Sequence, residues 1–338
     1  MLSLPYLMRP SLHLPTMNED LSNIHLSKAE FQEYGYRLVD WLAEYFDNVD
    51  QYQVLPSIEP GDIRNMLPVS APEGAESMDE IIADLDRVVM PGVAHWQHPG
   101  WYAFFPSGAS PVSALGEFVA AGLATQGMMW STAPAATEIE NTVLDWLVDL
   151  LGLPSSWRLD EGPGGGVIQM SASDSTHLSL AVARHQFEMS GADANSLVAY
   201  GSSQAHSSIE KGARIAGFKH IRSVPVTQTF GIDADAFVRI VRDDIDSGLI
   251  PAWVCSAVGT TNTTAMDPIR AIAAIASENG MWHHADAAYA GSAMICPEFR
   301  ELQDGVELVD SYTFNPHKWL LTNLYCTVIW LAARSKLI

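Results

Sequence analysis

The feature that most limits the fold of this chain is an alternation of helical and strand patterns from about residue 135 onward. The helical stretch A-T-E-I-E-N-T-V-L-D-W-L-V-D-L-L-G is followed by a glycine-rich turn, the strand pattern G-V-I-Q-M-S, the helical pattern S-T-H-L-S-L-A-V-A-R-H and the strand S-L-V-A-Y-G. Further strands are predicted at P-A-W-V-C-S-A-V from 251, at M-W-H-H-A-D-A from 281, at 311–314, and at C-T-V-I-W-L-A-A from Cys326. Such alternation favours an α/β fold, with a mainly parallel sheet and helices on both faces.

Composition excludes several classes of protein. Of the 338 residues, 48% are hydrophobic and 17% are charged, which supplies a sizeable core and argues against a disordered chain. Lys and Arg number 18 against 40 Asp and Glu, a net charge of −22, and no basic patch interrupts it. Such a field repels nucleic acids and anionic membrane surfaces, so neither is expected as a partner. The longest late apolar run is too short to span a bilayer.

The cysteines and the first residues bear on the compartment. Three cysteines lie far apart without C-x-x-C spacing, so they predict neither a disulfide framework nor a zinc site, and no metal site is expected. A reducing cytoplasm fits best. The apolar start is interrupted by prolines and lacks the pattern of a signal peptide, and either Met1 or Met17 could begin the protein.

An amphipathic helix is predicted over about 27–48. Ser27 and Glu30 form a capping-box pattern, and apolar and aromatic side chains then recur at helical spacing. This stripe must be buried, against either the main body or a second subunit. The sequence further predicts an irregular connector over 49–75, a helical patch over 77–90, and an irregular aromatic segment over 95–108.

Ligands of parallel α/β sheets bind beyond the carboxyl ends of the strands, so residues at strand ends are the candidates for a site. Ser171, Ala172 and Ser173 open a predicted helix, where backbone N–H groups and hydroxyls could hold a phosphate. An ordinary serine cap is the simpler explanation of this feature alone. His206 also follows a strand, although a lone histidine there is more often structural.

A carboxylate and an amine complete the set of candidates. Asp286 ends an apolar strand among alanines and needs a cationic partner, unless it only caps the next turn. Lys318 has apolar and aromatic neighbours in F-N-P-H-K-W-L-L. Burial there would lower its pKa and free a nucleophilic amine for a Schiff base, unless the side chain reaches out to water. Together these features predict a pyridoxal phosphate pocket.

At this point the chain resembles the group II pyridoxal-phosphate-dependent amino acid decarboxylases, especially the aromatic-L-amino-acid decarboxylases. The resembling stretches are A-H-W-Q-H-P at 94–99, F-F-P-S at 104–107, G-V-I-Q-M-S-A-S at 166–173, Q-A-H-S-S at 204–208, G-T-T at 259–261, H-A-D-A-A-Y-A-G-S-A at 284–293 and N-P-H-K-W at 315–319. The resemblance implies fold type I of the PLP-dependent transferases, an aspartate aminotransferase-like large domain with a mainly parallel seven-stranded sheet.

The resemblance also implies roles for individual residues. Lys318 would carry the Schiff base, Asp286 would pair with the pyridinium nitrogen, and His206 would stack on the ring. The cofactor would further contact Ala288, Thr261 and His317, with its phosphate on Ser171, Ala172, Ser173 and Asn315. The substrate pocket would include Phe105, Pro106 and Ser107, together with Met128 where relatives often place an aromatic residue contributed across a dimer.

The resemblance divides the chain into an N-terminal stretch 1–24, a helical segment or dimerisation arm 25–100 and a PLP-binding large domain 101–338. Family members continue past the position of Ile338 with a catalytic loop, which carries a tyrosine, and a small C-terminal domain. We therefore expect a C-terminally truncated chain that binds the cofactor weakly and decarboxylates poorly, so that robust release of carbon dioxide would contradict this expectation.

The function implied is decarboxylation of an aromatic L-amino acid (the tryptophan, tyrosine or DOPA type) to its amine by a cytoplasmic homodimer. The amino acid would displace Lys318 from the cofactor, whose ring would accept the electrons left by carbon dioxide. A histidine at 206, rather than asparagine, favours this reaction over aldehyde synthesis. Two alternatives remain open: a group II decarboxylase for glutamate or histidine, and an inactive homologue that only dimerises.

Overall fold

The computed structural model describes residues 25–105 and 107–337. The N-terminal stretch 1–24, with the choice between the two start positions, and the expected pocket residue Pro106 lie outside the described residues. The chain forms two compact units, which divide between Tyr102 and Ala103.

The first unit is helical, as the sequence predicts. Helix α1 spans Lys28–Asp47, and Ser27 and Glu30 form the expected capping box. A second capping box, made by Ser77 and Glu80, begins α3 at Met78–Asp84. The expected connector is not wholly irregular, since it contains the short helix α2 at Asp62–Met66.

The second unit is built on one seven-stranded sheet in the order β1-β7-β6-β5-β4-β2-β3. Its strands are β1 Gly165–Gln169, β2 Leu197–Ser202, β3 His220–Val224, β4 Ile250–Ala257, β5 Trp282–Ala287, β6 Ser311–Phe314 and β7 Thr327–Leu331. Six strands run parallel, and only β7 opposes its neighbours β1 and β6. The mainly parallel sheet is therefore confirmed.

Helices cover both faces of this sheet. Those of the second unit are α4 Pro111–Leu123, α5 Pro134–Leu151, α6 Ala172–Met189, α7 Ser208–Ile215, α8 Ala234–Asp246, α9 Ile269–Glu278 and α10 Pro316–Trp319. Single turns of 3-10 or π helix occur at Val49–Gln51, Leu85–Val89, Met90–Gly92, Ser155–Trp157, Ala194–Ser196, Val306–Leu308 and Arg334–Leu337, with longer 3-10 stretches at Ala290–Ile295 and Pro297–Gln303.

The core consists of separate clusters on the two faces of the sheet. On one face, Leu180 of α6 and Ile209 of α7 pack with Trp253 of β4. On the other face, Phe237 of α8 packs with Val254, the next residue of β4. Because successive strand residues point to opposite faces, β4 contributes to both clusters. Each of these buried side chains contributes about 1.5–3 kcal/mol of burial free energy.

Within residues 25–105 and 107–337, no helix is long and apolar enough to cross a membrane. No group of three or more His, Cys, Asp or Glu side chains in these ranges could hold a metal ion. The cysteines are free, with Cys255 buried, Cys296 exposed and Cys326 half-buried.

Candidate active site

The carboxyl ends of five parallel strands meet at one edge of the sheet. Because β1, β2, β4, β5 and β6 run the same way, the chain leaves each of them on the same side. The predicted residues lie at or shortly after the ends of these strands: Ser171 after β1, His206 after β2, Thr261 after β4, Asp286 at the next-to-last position of β5 and Asn315 after β6. This is the edge at which ligands bind in sheets of this type.

Lys318 lies in α10, directly after β6, and is half-buried. Its Nζ lies 4.8 Å from the centroid of the Phe105 ring. Burial penalises the ammonium form and lowers the pKa of Lys318, while the negative charge of Asp286 acts in the opposite direction. The lysine therefore occupies the apolar surroundings that its sequence neighbours predict, within electrostatic reach of the predicted carboxylate.

Asp286 occupies the next-to-last position of β5, in the middle of the sheet. In the strand register it pairs with Ala257 of β4 and Thr313 of β6. Its Oδ1 accepts a hydrogen bond of 3.0 Å from the backbone N–H of Ala288, which is buried. The carboxylate caps the following turn, and its charge also acts on the lysine. Its pairing with a pyridine nitrogen stays a prediction.

Three aromatic side chains lie beside the lysine: Phe105, which the sequence analysis named, and Tyr289 and Trp319, which it did not. Phe105 stacks on Tyr289 with ring centroids 4.1 Å apart and an interplanar angle of 18°. Tyr289 meets Trp319 edge to face at 5.1 Å. We call these three rings the aromatic wall. Stacked and edge-to-face pairs of this kind add about 0.5–1.5 kcal/mol each beyond their buried area.

Gly259 allows the aromatic wall to approach the end of β4. Its φ of +85° lies in the left-handed region, and a Cβ atom there would lie 2.7 Å from Cδ1 of Tyr289. Only glycine satisfies both conditions without displacing the ring. The G-T-T motif was the available signal for this contact, since a glycine directly after a strand often marks a close approach.

The expected phosphate site is the N-terminus of α6. Ser171 is the N-cap, and its Oγ accepts from the backbone N–H of Asp174 at 3.2 Å while donating to the Asp174 carboxylate at 2.8 Å. The ordinary-cap explanation therefore holds for this hydroxyl. The backbone N–H groups at the start of this 18-residue helix, at Ala172 and Ser173, have no partner within the helix and lie at its positive end.

Asn315 and His317 attach the lysine segment to β7. The Asn315 Oδ1 accepts from the Thr327 hydroxyl at 2.8 Å, and both residues are buried. His317 Nδ1 accepts from the backbone N–H of Cys326 at 3.1 Å. Burial lowers the pKa of His317, so the ring is neutral near pH 7 and its proton resides on Nε2.

The remaining predicted residues are more open. His206 is exposed, and its Nδ1 accepts from the backbone N–H of Ser208 at 3.2 Å. Thr261 is exposed, whereas its neighbour Thr260 is buried. Ser107 is half-buried, and Met128, between α4 and α5, is 74% exposed. The roles expected of these residues stay predictions.

A second carboxylate, Asp267, supports the same edge and was missed. It is buried and accepts backbone N–H groups from Ala257 and Ile232, both at 2.7 Å. Burial raises its pKa to about 6 despite these hydrogen bonds, and the charge of Asp286 adds to the effect. Because Ala257 pairs with Asp286 in the register, Asp267 fixes the strand end beside the candidate site.

Comparison with known proteins identifies the family. The family model described as the pyridoxal-dependent decarboxylase conserved domain matches residues 60–338. The chain belongs to this family. The resemblance seen in the motifs is thereby confirmed, and the cofactor of these decarboxylases is pyridoxal phosphate.

Individual relatives of this decarboxylase family are similar over most of the chain. A phenylacetaldehyde synthase of Arabidopsis thaliana is 41% identical, covering 92% of this chain and 65% of its own length. An aromatic-L-amino-acid decarboxylase of Catharanthus roseus is 43% identical, covering 90% and 62%. The crystal structure of Oryza sativa TDC with PLP and tryptamine superimposes with a TM-score of 0.90 at 39% identity, covering 92% and 66%. Fold type I is therefore confirmed, and the chain spans less than two thirds of the length of these curated relatives.

The residues at this edge fit pyridoxal phosphate. An amine with a lowered pKa, a carboxylate on the adjacent strand and free helix N–H groups are the groups that an aldehyde, a pyridine nitrogen and a phosphate require. Lys318, Asp286 and the start of α6 would hold these three parts of the cofactor.

Proposed function

We propose that this chain catalyses decarboxylation of an aromatic L-amino acid, of the tryptophan, tyrosine or DOPA type, to the amine and carbon dioxide. The observation that carries the proposal is the aromatic wall beside the Lys318 nitrogen, since an uncharged ring surface suits an aromatic side chain. An acidic substrate would need a basic side chain, which is absent from the sequence F-F-P-S at 104–107.

The proposed roles follow from the chemistry of each group. The lowered pKa of Lys318 increases the fraction of free amine that can bind the cofactor aldehyde. Asp286 holds a proton on the pyridine nitrogen, and the N–H groups of Ala172 and Ser173 bind the phosphate. When bound, the cofactor supplies a conjugated ring that accepts the electron pair left by carbon dioxide.

The residues of the substrate side would orient the amino acid. We propose that Phe105, Pro106 and Ser107 contact its side chain, and that His206 covers the cofactor ring. Thr261, Ala288, Asn315 and His317 would complete the cofactor contacts, and Met128 would contribute to the substrate pocket across a dimer.

A homodimer is part of the proposal. Helix α4 has no buried residue even though it is rich in apolar side chains. Four of them are more than half exposed: Val112, Leu115, Val119 and Leu123. Such a continuous apolar face is typical of an interface, and a second copy of the chain is the proposed occupant. We further propose that segment 25–100 acts as a dimerisation arm and, from the cysteine usage, that the protein is cytoplasmic.

Aldehyde synthesis is a second candidate function, because a phenylacetaldehyde synthase is among the similar relatives. Both reactions release carbon dioxide, but aldehyde synthesis also oxidises the carbon that bears the amino group. Dioxygen accepts the two electrons and becomes hydrogen peroxide, water supplies the aldehyde oxygen, and the amino group leaves as ammonia. The histidine at 206 is the feature of this chain that we take to favour the amine.

The test is incubation of the purified chain and pyridoxal phosphate with L-tryptophan, L-tyrosine, L-DOPA, L-glutamate and L-histidine, with chromatographic measurement of amine, aldehyde and ammonia. We expect amine from the aromatic acids, at a low rate, and none from Lys318→Ala. Aldehyde with ammonia would establish the second candidate. Turnover of glutamate or histidine alone would refute the aromatic assignment. A chain that dimerises but never gains the visible absorbance of a lysine-bound cofactor would be the inactive homologue.

A further inference from the structure

Two stretches that are distant in sequence run alongside each other at the candidate site. One is the substrate-side segment, Phe105 and 107–113, and the other is the lysine segment, 317–323. The Phe105 ring lies against Lys318 at one end. Further along the substrate-side segment, the backbone N–H of Gly108 donates to the carbonyl of His317, the residue before the lysine, at 3.3 Å.

The last link joins Asn323 to Ser113. The Ser113 hydroxyl donates to Asn323 Oδ1 at 2.7 Å, and Asn323 Nδ2 donates to the Ser113 carbonyl at 2.9 Å. We call this pair of hydrogen bonds the amide clasp. It connects residues 210 positions apart and uses both ends of one amide, which fixes the orientation of the Asn323 side chain.

The clasp closes a part of the chain that carries strain. Leu321, between Lys318 and Asn323, has a φ of +55°, which is unfavourable for a residue with a Cβ atom. Gly108 is packed against it, since a Cβ atom on that glycine would lie 3.0 Å from Cδ2 of Leu321. A strained turn persists only where its surroundings over-determine it, and the clasp supplies such a constraint on its far side.

We propose that Asn323 is a positioning residue, which through Ser113 holds the Phe105 ring against Lys318 and so keeps the lysine amine partly dehydrated. This proposal rests on the proposed function only in taking Lys318 as the cofactor-binding amine. The amide clasp is the link farthest from Phe105 along the substrate-side segment and farthest from Lys318 along the lysine segment, so its loss allows the substrate-side segment to separate. Water would then reach the lysine and favour its ammonium form.

The experiment measures the pH dependence of covalent attachment of pyridoxal phosphate to the cofactor-free chain. The lysine amine adds to the aldehyde, water leaves, and a visible absorbance band appears. The signal of Lys318→Ala is subtracted, because the other lysines also react. We expect Asn323→Ala to move the midpoint upward by about half to one pH unit, and therefore to slow attachment at neutral pH about three- to tenfold.

Asn279→Ala is the matched control. Asn279 also donates its side-chain amide to a backbone carbonyl, that of Ile275 at 2.8 Å, and lies at the end of α9 in the same unit. It should lower thermal stability by an amount comparable to Asn323→Ala and leave the midpoint unchanged. Ser113→Thr keeps the hydroxyl and should behave as the parent chain does.

The clasp predicts non-additivity. Ser113→Ala should raise the midpoint less than Asn323→Ala, because the carbonyl link remains, and the double variant should match Asn323→Ala alone. If Asn323→Ala does not fold, Ser113→Ala still provides the test. An unchanged midpoint in both variants would overturn the positioning role, whereas a parent chain without any Lys318 adduct would overturn the proposed function instead.

Discussion

The polar side chains at the two ends of strand β5 lie in different environments, buried at the start and partly accessible at the end. At its start, His283 and His284 are buried, and burial lowers the pKa of each to about 3, so both are neutral. At its end, Asp286 is partly accessible and acts on Lys318 as a negative charge. One short strand thus holds uncharged polar groups inside the sheet and places its acidic side chain where the sheet stops. Dehydration of a charge is costly in the first position and is avoided in the second.

Serine hydroxyls contact one ring nitrogen of each buried histidine, whereas the other nitrogens, His283 Nδ1 and His284 Nε2, have no hydrogen-bond partner among the described residues. Ser311 Oγ accepts from Trp282 Nε1 at 2.8 Å, which leaves its own proton for Nδ1 of His284 at 2.8 Å. Ser256 makes the corresponding hydrogen bond to Nε2 of His283 at 2.8 Å. The difference between the two ends shows that polar residues in β5 do not by themselves predict a site, and that accessibility at the strand end is the feature that makes Asp286 the candidate.

The largest expected effect comes from Asp286→Asn. The amide keeps an oxygen for the Ala288 N–H, so unfolding free energy should change by less than about 1 kcal/mol. Loss of the charge should lower the rate of carbon dioxide release about a hundredfold or more, because the ring nitrogen would lose its proton. Steady-state kinetics and urea unfolding measure the two quantities. If Asp286→Asn kept activity near that of the parent chain, the charged end of β5 would have no functional role that the buried end lacks.

The pH dependence of stability should report the buried end. The histidines have folded pKa values of about 3, below the unfolded value of about 6.5, so their contribution is complete above pH 6.5 and is lost as the pH falls. Asp267 has a folded pKa of about 6, so protonation of its carboxyl stabilises the folded state between about pH 6 and 4. This gain offsets part of the stability that the histidines lose. We expect unfolding free energy from urea titrations to fall by about 2–3 kcal/mol from pH 7.5 to pH 5. A flat profile would contradict the burial of these rings.

Ser311→Ala should have the smallest effect and the opposite signature to Asp286→Asn. It leaves Trp282 Nε1 and His284 Nδ1 without their shared partner, at a cost of about 1–2 kcal/mol of unfolding free energy. Activity of the folded fraction should stay within about threefold, because Lys318 and Asp286 are untouched. Parallel thermal melts and initial rates check this outcome, and a large loss of activity without loss of stability would show that the two ends are coupled.

Much of the fold is readable from the sequence, for a physical reason. Apolar runs such as those of β2 and β4 are buried on both faces, and the alternation with helices then requires a parallel sheet, so the residues after each strand meet at one edge. Strand β3 gave no such run because most of His220–Val224 is only half-buried. The apolar run of β7 indicated a strand but carried no information on direction.

The contacts around the lysine were harder to predict. Lys318 and Asp286 stand at strand ends in recognisable motifs, whereas Phe105 reaches Tyr289 only through the tertiary fold. The Asn323–Ser113 pair has the same character, since neither residue is unusual in its local sequence. A charged residue at the end of a buried strand can be predicted from its neighbours in the sequence. A contact with a residue more than a hundred positions away cannot.

The antiparallel course of β7 has a mechanical consequence for the lysine. Lys318 lies in the connection between Phe314 and Thr327, which joins the two paired antiparallel strands β6 and β7. The ends of this connection cannot shift along the sheet without breaking main-chain hydrogen bonds between β6 and β7. Rotation about the four methylene groups of the lysine therefore moves the amine toward or away from a bound molecule without breaking any of these strand pairs.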